Sequence, residues 1–336
     1  MLIYYFIYYL FPTLMPAYTI KHRTRYAYAA PVIDCANQVM VYPLADDRLE
    51  VKKHELVISH SPEVEVFTDY FGNQVGVFSL ISPHTELLID SLAEVVTHAI
   101  QFPMDEQLAA EQWKHLHAIR GDAEFFDFLA REPSPATGAI RATLDVVVDR
   151  AEKPLKNALV LSEYVYDHFA YQQGVTNVET PTEEIWQLQA GVCQDFAHIL
   201  LFMLRLYDIP ARYVSGYICP KDEGVRGTGA THAWVEAYIP FYGWLGLDPT
   251  NNCIVNDGHV RMAIGRNFMD CTPVKGTYKG TSAHRLEVSV HIENGTPLAA
   301  PTPIEPMYTQ EVAAPISPVN SYRKYLDLQQ QQQQQQ

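Results

Sequence analysis

Two kinds of hydrophobic pattern divide the chain. From Tyr18 to about Thr97, apolar and polar residues alternate in successive runs, with turn signals such as Phe71-Gly72-Asn73 between them. Because a period of two sends alternate side chains to opposite faces of a strand, this pattern predicts an antiparallel β domain over residues 17–100. The apolar spacing then changes to three and four residues, which predicts a helical connector over 101–150.

Two longer helices are predicted beyond the connector. The first begins at Pro154, a favoured residue for the first helical turn, and stops at Gly174. The second begins at Cys193, after a break at Gly191, and ends before Pro210. Its apolar residues recur every three or four positions, at Phe196, Ile199, Leu200, Met203 and Leu204. One face of this helix is therefore expected to pack into a core.

Three strands should follow the Cys193 helix. The runs ARYVSGYI and THAWVEAYI alternate, and in the second run His232, Trp234 and Glu236 share one face. The run GWLGLDP predicts a third strand that carries Asp248 at its end. The predicted fold class is therefore α+β, with a Cys-bearing helix packed on an antiparallel sheet that carries His and Asp, all preceded by the β domain.

These positions suggest a nucleophilic site. Cys193 lies in the first turn of its helix, where unpaired backbone N–H groups and the helix dipole favour a thiolate. His232 could take the proton of Cys193, and Asp248 could fix the tautomer of the imidazole. The order thiol, imidazole, carboxylate predicts a catalytic triad for acyl transfer, with the N–H of Cys193 as a donor to the oxyanion.

Three segments resemble a known family. GVCQDFAHILLFMLRLYDIPARYVSGY, THAWVEAYIPFYGWLGLDPTN and HVRMAIGRNFMDCTPVKGTYKG are similar to the bacterial transglutaminase-like superfamily, whose members are often described as candidate cysteine proteases. The resemblance runs from about Tyr18 to about Ile292. It implies a papain-like core, here predicted over 151–293, in which the family's Cys, His and Asp fall on Cys193, His232 and Asp248. The sequence departs from the family at Gln194, Asn267 and Cys271, none of which belongs to the triad.

Several functions are compatible with this triad. A thioester on Cys193 resolved by water gives a cysteine protease or amidase, which we prefer because water needs no second binding site. A thioester resolved by an amine gives a protein-glutamine transglutaminase. A third alternative, from another class, is a binding module that keeps the fold without turnover, since fold alone does not decide chemistry.

Three further residues are substrate-binding candidates. Tyr217 and Trp234 could form an aromatic wall of a substrate groove, although a packed sheet would use them equally well. Gln187 precedes Cys193 by six residues, a spacing that resembles that of the oxyanion Gln of papain-like proteases. The alternative for Gln187 is a solvent-facing residue on a short helix.

Charge and composition limit the classes of molecule that the protein is expected to bind. The 24 basic and 39 acidic residues give a net charge of −15, which argues against nucleic acid or an anionic membrane as a partner. A protein or peptide substrate is expected, and the oligomeric state is left open. No CxxC motif or Cys/His cluster indicates a metal, and no cofactor is expected.

The cysteines and the chain ends complete the prediction. Five cysteines at unrelated spacings indicate free thiols in a reducing compartment, and hence a cytoplasmic protein. The apolar stretch 1–16 is short for a membrane span and contains prolines. It is predicted to be a start-site artefact or disordered extension, with a membrane or export signal or a folded strand as alternatives. The Pro- and Gln-rich residues 294–336 are predicted to be a disordered tail.

Overall fold

A computed structural model describes residues 15–219, 231–280, 282–295 and 308–312. The stretch 1–14, most of the predicted N-terminal extension, lies outside the described residues. The described part of the chain contains two large antiparallel sheets and a group of helices.

The elements follow one another in a simple order. The first strands are β1 (Ala17–Val39), β2 (Leu49–Ile58), β3 (Glu65–Thr68), β4 (Gln74–Leu80) and β5 (His84–Thr97). Four helices come next, α1 (Ala109–Ala118), α2 (Ala123–Leu129), α3 (Thr137–Val147) and α4 (Pro154–His168). The segment around the thiol contains β6 (Ala170–Tyr171), α5 (Thr182–Leu188), β7 (Ala190–Gly191) and α6 (Cys193–Leu206). The remaining strands are β8 (Ala211–Ile218), β9 (Thr231–Ile239), β10 (Gly243–Asp248), β11 (Cys253–Ile254), β12 (His259–Gly265), β13 (Val274–Lys279), β14 (His284–Asn294) and β15 (Tyr308–Val312).

Eight of the described strands form the first sheet, which is organised around β1. The N-terminal half of β1 pairs with β5 and β14, and its C-terminal half pairs with β4 and β13. Burial along β1 follows the alternation in its sequence, because Ile20, His22 and Thr24 are buried while Lys21 and Arg23 are only half-buried. One face of this sheet therefore points inwards, as the period of two predicts, and there Ile20 joins an apolar cluster with Leu87 and Ile89 from β5.

The second sheet carries the predicted site residues. Its strand order is β11-β10-β9-β8-β12, and all neighbouring strands are antiparallel. Helix α6 packs against one face of this sheet, where Phe196 and Leu200 from the helix share an apolar cluster with Val235 and Ala237 from β9. The predicted helix start at Cys193, its buried face and the α+β fold class are confirmed.

The two sheets are joined by buried polar contacts. Nδ1 of His22, in β1, lies 2.7 Å from the hydroxyl oxygen of Tyr217, in β8. The side chain of Asn73 is fully buried and exchanges two hydrogen bonds of 2.8 Å with the backbone of Ile264, in β12. Since a buried polar group without a partner is costly, these bonds fix how the two sheets meet.

The chain returns to the first sheet near its end. Strand β13 and all of β14 except its last residue, Asn294, fall within the predicted core range 151–293, but they pair with β1. The predicted domain limits remain a prediction; the structure adds that the first sheet is completed by strands from both ends of the described chain.

A short part of the tail is folded, which corrects the prediction of disorder for those residues. Tyr308–Val312 form β15, which pairs with His284–Val288 at the edge of β14. The tail buries little apolar surface, but an edge strand is held mainly by hydrogen bonds to the unpaired N–H and C=O groups of the neighbouring strand. Residues 296–307 and 313–336 lie outside the described part of the chain.

Within the described ranges, no helix combines the length and the apolar content needed to cross a membrane. The cytoplasmic location stays a prediction.

Candidate active site

Cys193 is the first residue of α6. The residue before it, Val192, has an extended backbone, so the chain turns into the helix directly at the thiol. The N–H groups of a first helical turn have no partner within the helix, and they point towards whatever lies beyond the N-terminus. This places the half-buried Cys193 side chain beside backbone donors.

A buried carboxylate holds the turn that precedes Cys193. Oδ2 of Asp195 accepts the Val192 N–H at 2.7 Å and the Thr176 hydroxyl at 2.6 Å. The turn requires a glycine at position 191, because a Cβ there would lie 2.3 Å from the same oxygen of Asp195. Burial raises the pKa of Asp195, against the lowering effect of these two hydrogen bonds. Gly191 and Asp195 together fix the backbone from which the thiol projects.

His232 and Asp248 come from neighbouring strands. His232 is the second residue of β9, and Asp248 is the last residue of β10, where Leu247 pairs with Val235. Both side chains are fully buried, and Nε2 of His232 lies 2.8 Å from Oδ2 of Asp248. A neutral or protonated imidazole with hydrogen on Nε2 donates to this carboxylate, which leaves Nδ1 as the second functional nitrogen.

The thiol, the imidazole and the carboxylate are electrostatically connected. Burial alone would lower the pKa of His232, but the charge and hydrogen bond of Asp248, followed by those of Cys193, raise it above its ordinary value. Nδ1 of His232 is buried and has no hydrogen-bond partner among the described atoms. Cys193 therefore lies close enough to raise the pKa of the ring, while Nδ1 stays open to a proton donor.

Asp248 receives hydrogen bonds from more than His232. Its Oδ1 accepts the backbone N–H of Thr250 at 2.9 Å, and its Oδ2 accepts the side-chain amide of Asn251 at 2.8 Å. Nε2 of a second histidine, His259 at the start of β12, lies 3.4 Å from the same Oδ2. Burial alone would raise the pKa of Asp248, but His232 and then His259 hold it well below its usual range. Asp248 is thus an ionised carboxylate surrounded by donors.

Asn251 and His259 were not among the residues predicted from sequence. Asn251 lies three residues beyond Asp248, where the chain turns back after β10. His259 follows the turn at Asp257-Gly258 and belongs to a strand that pairs with β8, not with β9 or β10. A histidine at a strand start directly after a turn is the only sequence signal for it, and that signal is weak.

Chemically, His232, Asp248 and His259 could also hold a metal ion. Among the described residues, this group has His and carboxylate ligand atoms within 4.8 Å of one another, and all three are buried. The separations of 2.8 and 3.4 Å also fit hydrogen bonds, and Oδ2 already accepts the Asn251 amide. We therefore interpret the group as two imidazole donors around one carboxylate.

The three predicted substrate-binding residues lie in different surroundings. Tyr217 is 2% exposed and packs between the sheets against His22, and Trp234 is 1% exposed. The Trp234 ring lies over Gly216, where an added Cβ would come within 2.5 Å of it. This burial favours the packed-sheet alternative over an aromatic wall. Gln187 is exposed on α5, which agrees with the alternative that it is a solvent-facing helix residue.

Glu236, on the same face of β9 as His232, forms a buried charge cluster. Glu236 is 1% exposed, and its carboxylate lies 2.6 Å from Arg212, 2.9 Å from Arg261 and 3.9 Å from Arg48. Burial alone would raise the pKa of Glu236, but the three guanidinium groups lower it to about 2. The face of the sheet that carries His232 is thus held by ion pairs, whereas its opposite face is apolar.

Comparison with known proteins agrees with this architecture. Residues 141–249 match the transglutaminase-like superfamily, and residues 18–96 match the bacterial transglutaminase-like N-terminal region. A solved structure from Cytophaga hutchinsonii, described as that of a candidate cysteine protease, has a TM-score of 0.66. It covers 87% of this chain and 94% of its own at 21% identity, which shows a common fold.

Two sequence relatives differ in how much of the chain they match. An uncharacterized protein of Mycobacterium leprae is 29% identical over 276 residues, which are 81% of this chain and 97% of the relative. A shorter similarity, 31% over 103 residues, links 28% of this chain to 15% of a protein-glutamine gamma-glutamyltransferase of Pseudomonas aeruginosa. With its helix-borne thiol, its antiparallel sheet and its N-terminal β region, the chain belongs to the transglutaminase-like superfamily.

Proposed function

We propose that this protein is a thiol-dependent amide-bond enzyme that uses Cys193, His232 and Asp248 and acts as a cysteine protease or amidase. The observation that carries the proposal is the buried hydrogen bond between His232 Nε2 and Asp248 Oδ2, 2.8 Å long. It fixes the imidazole so that its other nitrogen, Nδ1, is available to the thiol at the start of α6. A nucleophile, a base and an orienting carboxylate are the groups that acyl transfer requires.

The first half of the reaction forms a thioester. His232 Nδ1 takes the proton of Cys193, and the thiolate sulfur attacks the carbonyl carbon of the amide. The N–H of Cys193 donates to the oxyanion that develops on the carbonyl oxygen. When the C–N bond breaks, the imidazolium returns its proton to the leaving amine, and the acyl group remains on sulfur.

The second half releases the acyl group. His232 Nδ1 takes a proton from water, whose oxygen attacks the thioester carbonyl carbon. The C–S bond breaks, and Cys193 leaves as the thiolate, which regains a proton. The products are a carboxylic acid and the free enzyme, so no redox partner is needed.

Transamidation is the second candidate. The observation that favours it is the 31% identity over 103 residues to a protein-glutamine gamma-glutamyltransferase. The same thioester would then be attacked by a primary amine instead of water. Because the first half-reaction is shared, the acceptor alone separates the two activities.

Mass spectrometry of a glutamine-containing casein digest tests the proposal. The digest is incubated with the protein, with and without a primary amine, and Cys193→Ala serves as the control. New peptide termini or conversion of Gln to Glu, both lost in Cys193→Ala, support hydrolysis. Amine addition at Gln supports the second candidate. If neither product forms and Cys193 also reacts no faster than the other thiols, the binding-module alternative replaces both.

A further inference from the structure

His259 contacts the carboxylate of the triad from a strand that does not neighbour β9 or β10. Its Nε2 lies 3.4 Å from Asp248 Oδ2, the oxygen that also receives His232. The side chain of His259 is 2% exposed and that of Asp248 is fully buried. Because both side chains are buried from solvent, a hydrogen bond from His259 to Asp248 lies in a low-dielectric environment. Such a hydrogen bond is electrostatically stronger than one in water.

The tautomer of His259 follows from its neighbours. Nδ1 lies 3.3 Å from the backbone nitrogen of Asn256, whose N–H donates to it, and 3.3 Å from the Asn256 side-chain oxygen. A lone pair of Nε2 facing an ionised carboxylate would be repelled, so Nε2 carries the hydrogen. This holds for the neutral ring, in which Nδ1 accepts from Asn256, and equally for the protonated ring.

The ring of His259 is also held in place. It meets the Trp234 ring edge to face, with centroids 5.3 Å apart and an interplanar angle of 80°. Trp234 in turn occupies the space over Gly216, the residue that pairs with His232 across β8 and β9. This packing leaves the His259 ring few alternative rotamers. A side chain that is fixed in this way can orient the group to which it donates a hydrogen bond.

We infer that His259 is a positioning residue that holds Asp248 in line with His232, with Trp234 as the packed wall behind it. Oδ2 of Asp248 is then fixed from two further directions, by Asn251 at 2.8 Å and by His259 at 3.4 Å. His259 acts through Asp248 and touches neither substrate nor thiol. The inference rests on the proposed function, since a positioned carboxylate matters only if His232 activates Cys193.

The test measures the rate at which iodoacetamide alkylates Cys193, which requires no knowledge of the substrate. His259→Phe keeps a ring against Trp234 but removes the donor, and we expect it to slow alkylation by at least about tenfold, the scale of one hydrogen bond to a charged group. His259→Gln keeps an N–H donor at similar reach and should recover most of the lost rate. In an Asp248→Ala background, His259→Phe should cause no further loss, because the group it acts through is gone.

Two results overturn the inference. One is a His259→Phe variant that alkylates as fast as the parent protein, and the other is an equal loss with and without Asp248. If His259→Phe does not fold, as judged by its thermal transition, His259→Asn replaces it, because the shorter side chain also withdraws the donor from Asp248.

His232→Ala separates this inference from the proposed function. If the parent protein reacts no faster than His232→Ala, the proposed function fails and the inference fails with it. If His232→Ala is slow while His259→Phe matches the parent, the inference alone is wrong.

Discussion

Asp248 Oδ2 and His232 Nε2 lie 2.8 Å apart in a pair without solvent exposure, so the carboxylate holds the imidazole by one nitrogen and leaves Nδ1 for Cys193. This relationship also sets the direction in which the pKa values move, because each partner stabilises the charged form of the other. The proposed function rests on the order carboxylate, imidazole, thiol, because a base held by a carboxylate is what the activation of a cysteine requires.

Replacing Asp248 by asparagine should abolish this tautomer control. An amide that presents N–H groups to Nε2 favours the imidazole with its hydrogen on Nδ1, which can no longer accept the proton of Cys193. We expect the kcat of Asp248→Asn to fall by about 10⁴-fold, the scale of such a change in a catalytic triad. The casein-digest assay measures it, with circular dichroism to show that the fold persists. Turnover within a few-fold of the parent would remove Asp248 from the site.

The glycine before the thiol provides a structural prediction. Gly191→Ala places a Cβ 2.3 Å from Asp195 Oδ2, so the carboxylate must move away from the Val192 N–H. We expect a loss of about 1–3 kcal/mol in the free energy of unfolding, the range of overpacking changes, together with slower alkylation of Cys193.

Gly138→Ala is the matched control for this change. Gly138 lies in α3, and no atom lies within 4 Å of the Cβ it would gain. Because alanine is the better helix former, the free energy of unfolding should stay the same or rise by up to about 1 kcal/mol. If the two variants behave alike in urea denaturation, the close approach of Asp195 is not what requires glycine at position 191.

The Glu236 cluster predicts a pH dependence of stability. Its arginine partners bring the pKa of Glu236 to about 2, below the ordinary 4.5. A lowered folded-state pKa stabilises the fold above the ordinary value, and this contribution is lost as the pH falls from 4.5 towards 2. Glu236→Gln should therefore cost about 3–5 kcal/mol near neutral pH, as expected when one partner of a buried ion pair is removed.

The difference between Glu236→Gln and the parent should shrink in urea titrations as the pH falls below 4.5. Glu163→Gln, at an exposed position in α4, should change the free energy of unfolding by less than about 0.5 kcal/mol throughout. A cost for Glu236→Gln that stays constant down to pH 2 would contradict the ion-pair account.

The helix and strands that carry Cys193, His232 and Asp248 could be predicted from the sequence, whereas several residues packed around them could not. The start of α6 and the strands that carry His232 and Asp248 could be predicted because local periodicity and the breaks at Gly191 and Pro210 mark them. β9 and β10 are consecutive and antiparallel, so local sequence also places Asp248 beside His232. The family resemblance added the identity of the core, which periodicity alone does not provide.

His259 could not be predicted in the same way. It belongs to β12, which pairs with β8, so its approach to Asp248 depends on the strand order β10-β9-β8-β12. Strand order is a tertiary property, since local sequence does not determine which edge of a sheet a late strand joins. The same reason explains the pairing of β13 and β14 with β1, because each depends on a partner far away in sequence.

The central claim, that His232 activates Cys193 as the nucleophile, can be tested by the rate at which each cysteine is alkylated. The five cysteines all lie in the described ranges and form no disulfide, and burial raises the pKa of Cys35 to about 11 and that of Cys253 to about 12. At neutral pH, iodoacetamide should therefore label Cys193 at least about tenfold faster than any other cysteine. Peptide mass spectrometry measures the extent of labelling at each cysteine. His232→Ala should remove this preference. Uniform labelling, preference for another cysteine, or an unchanged preference in His232→Ala would contradict the account.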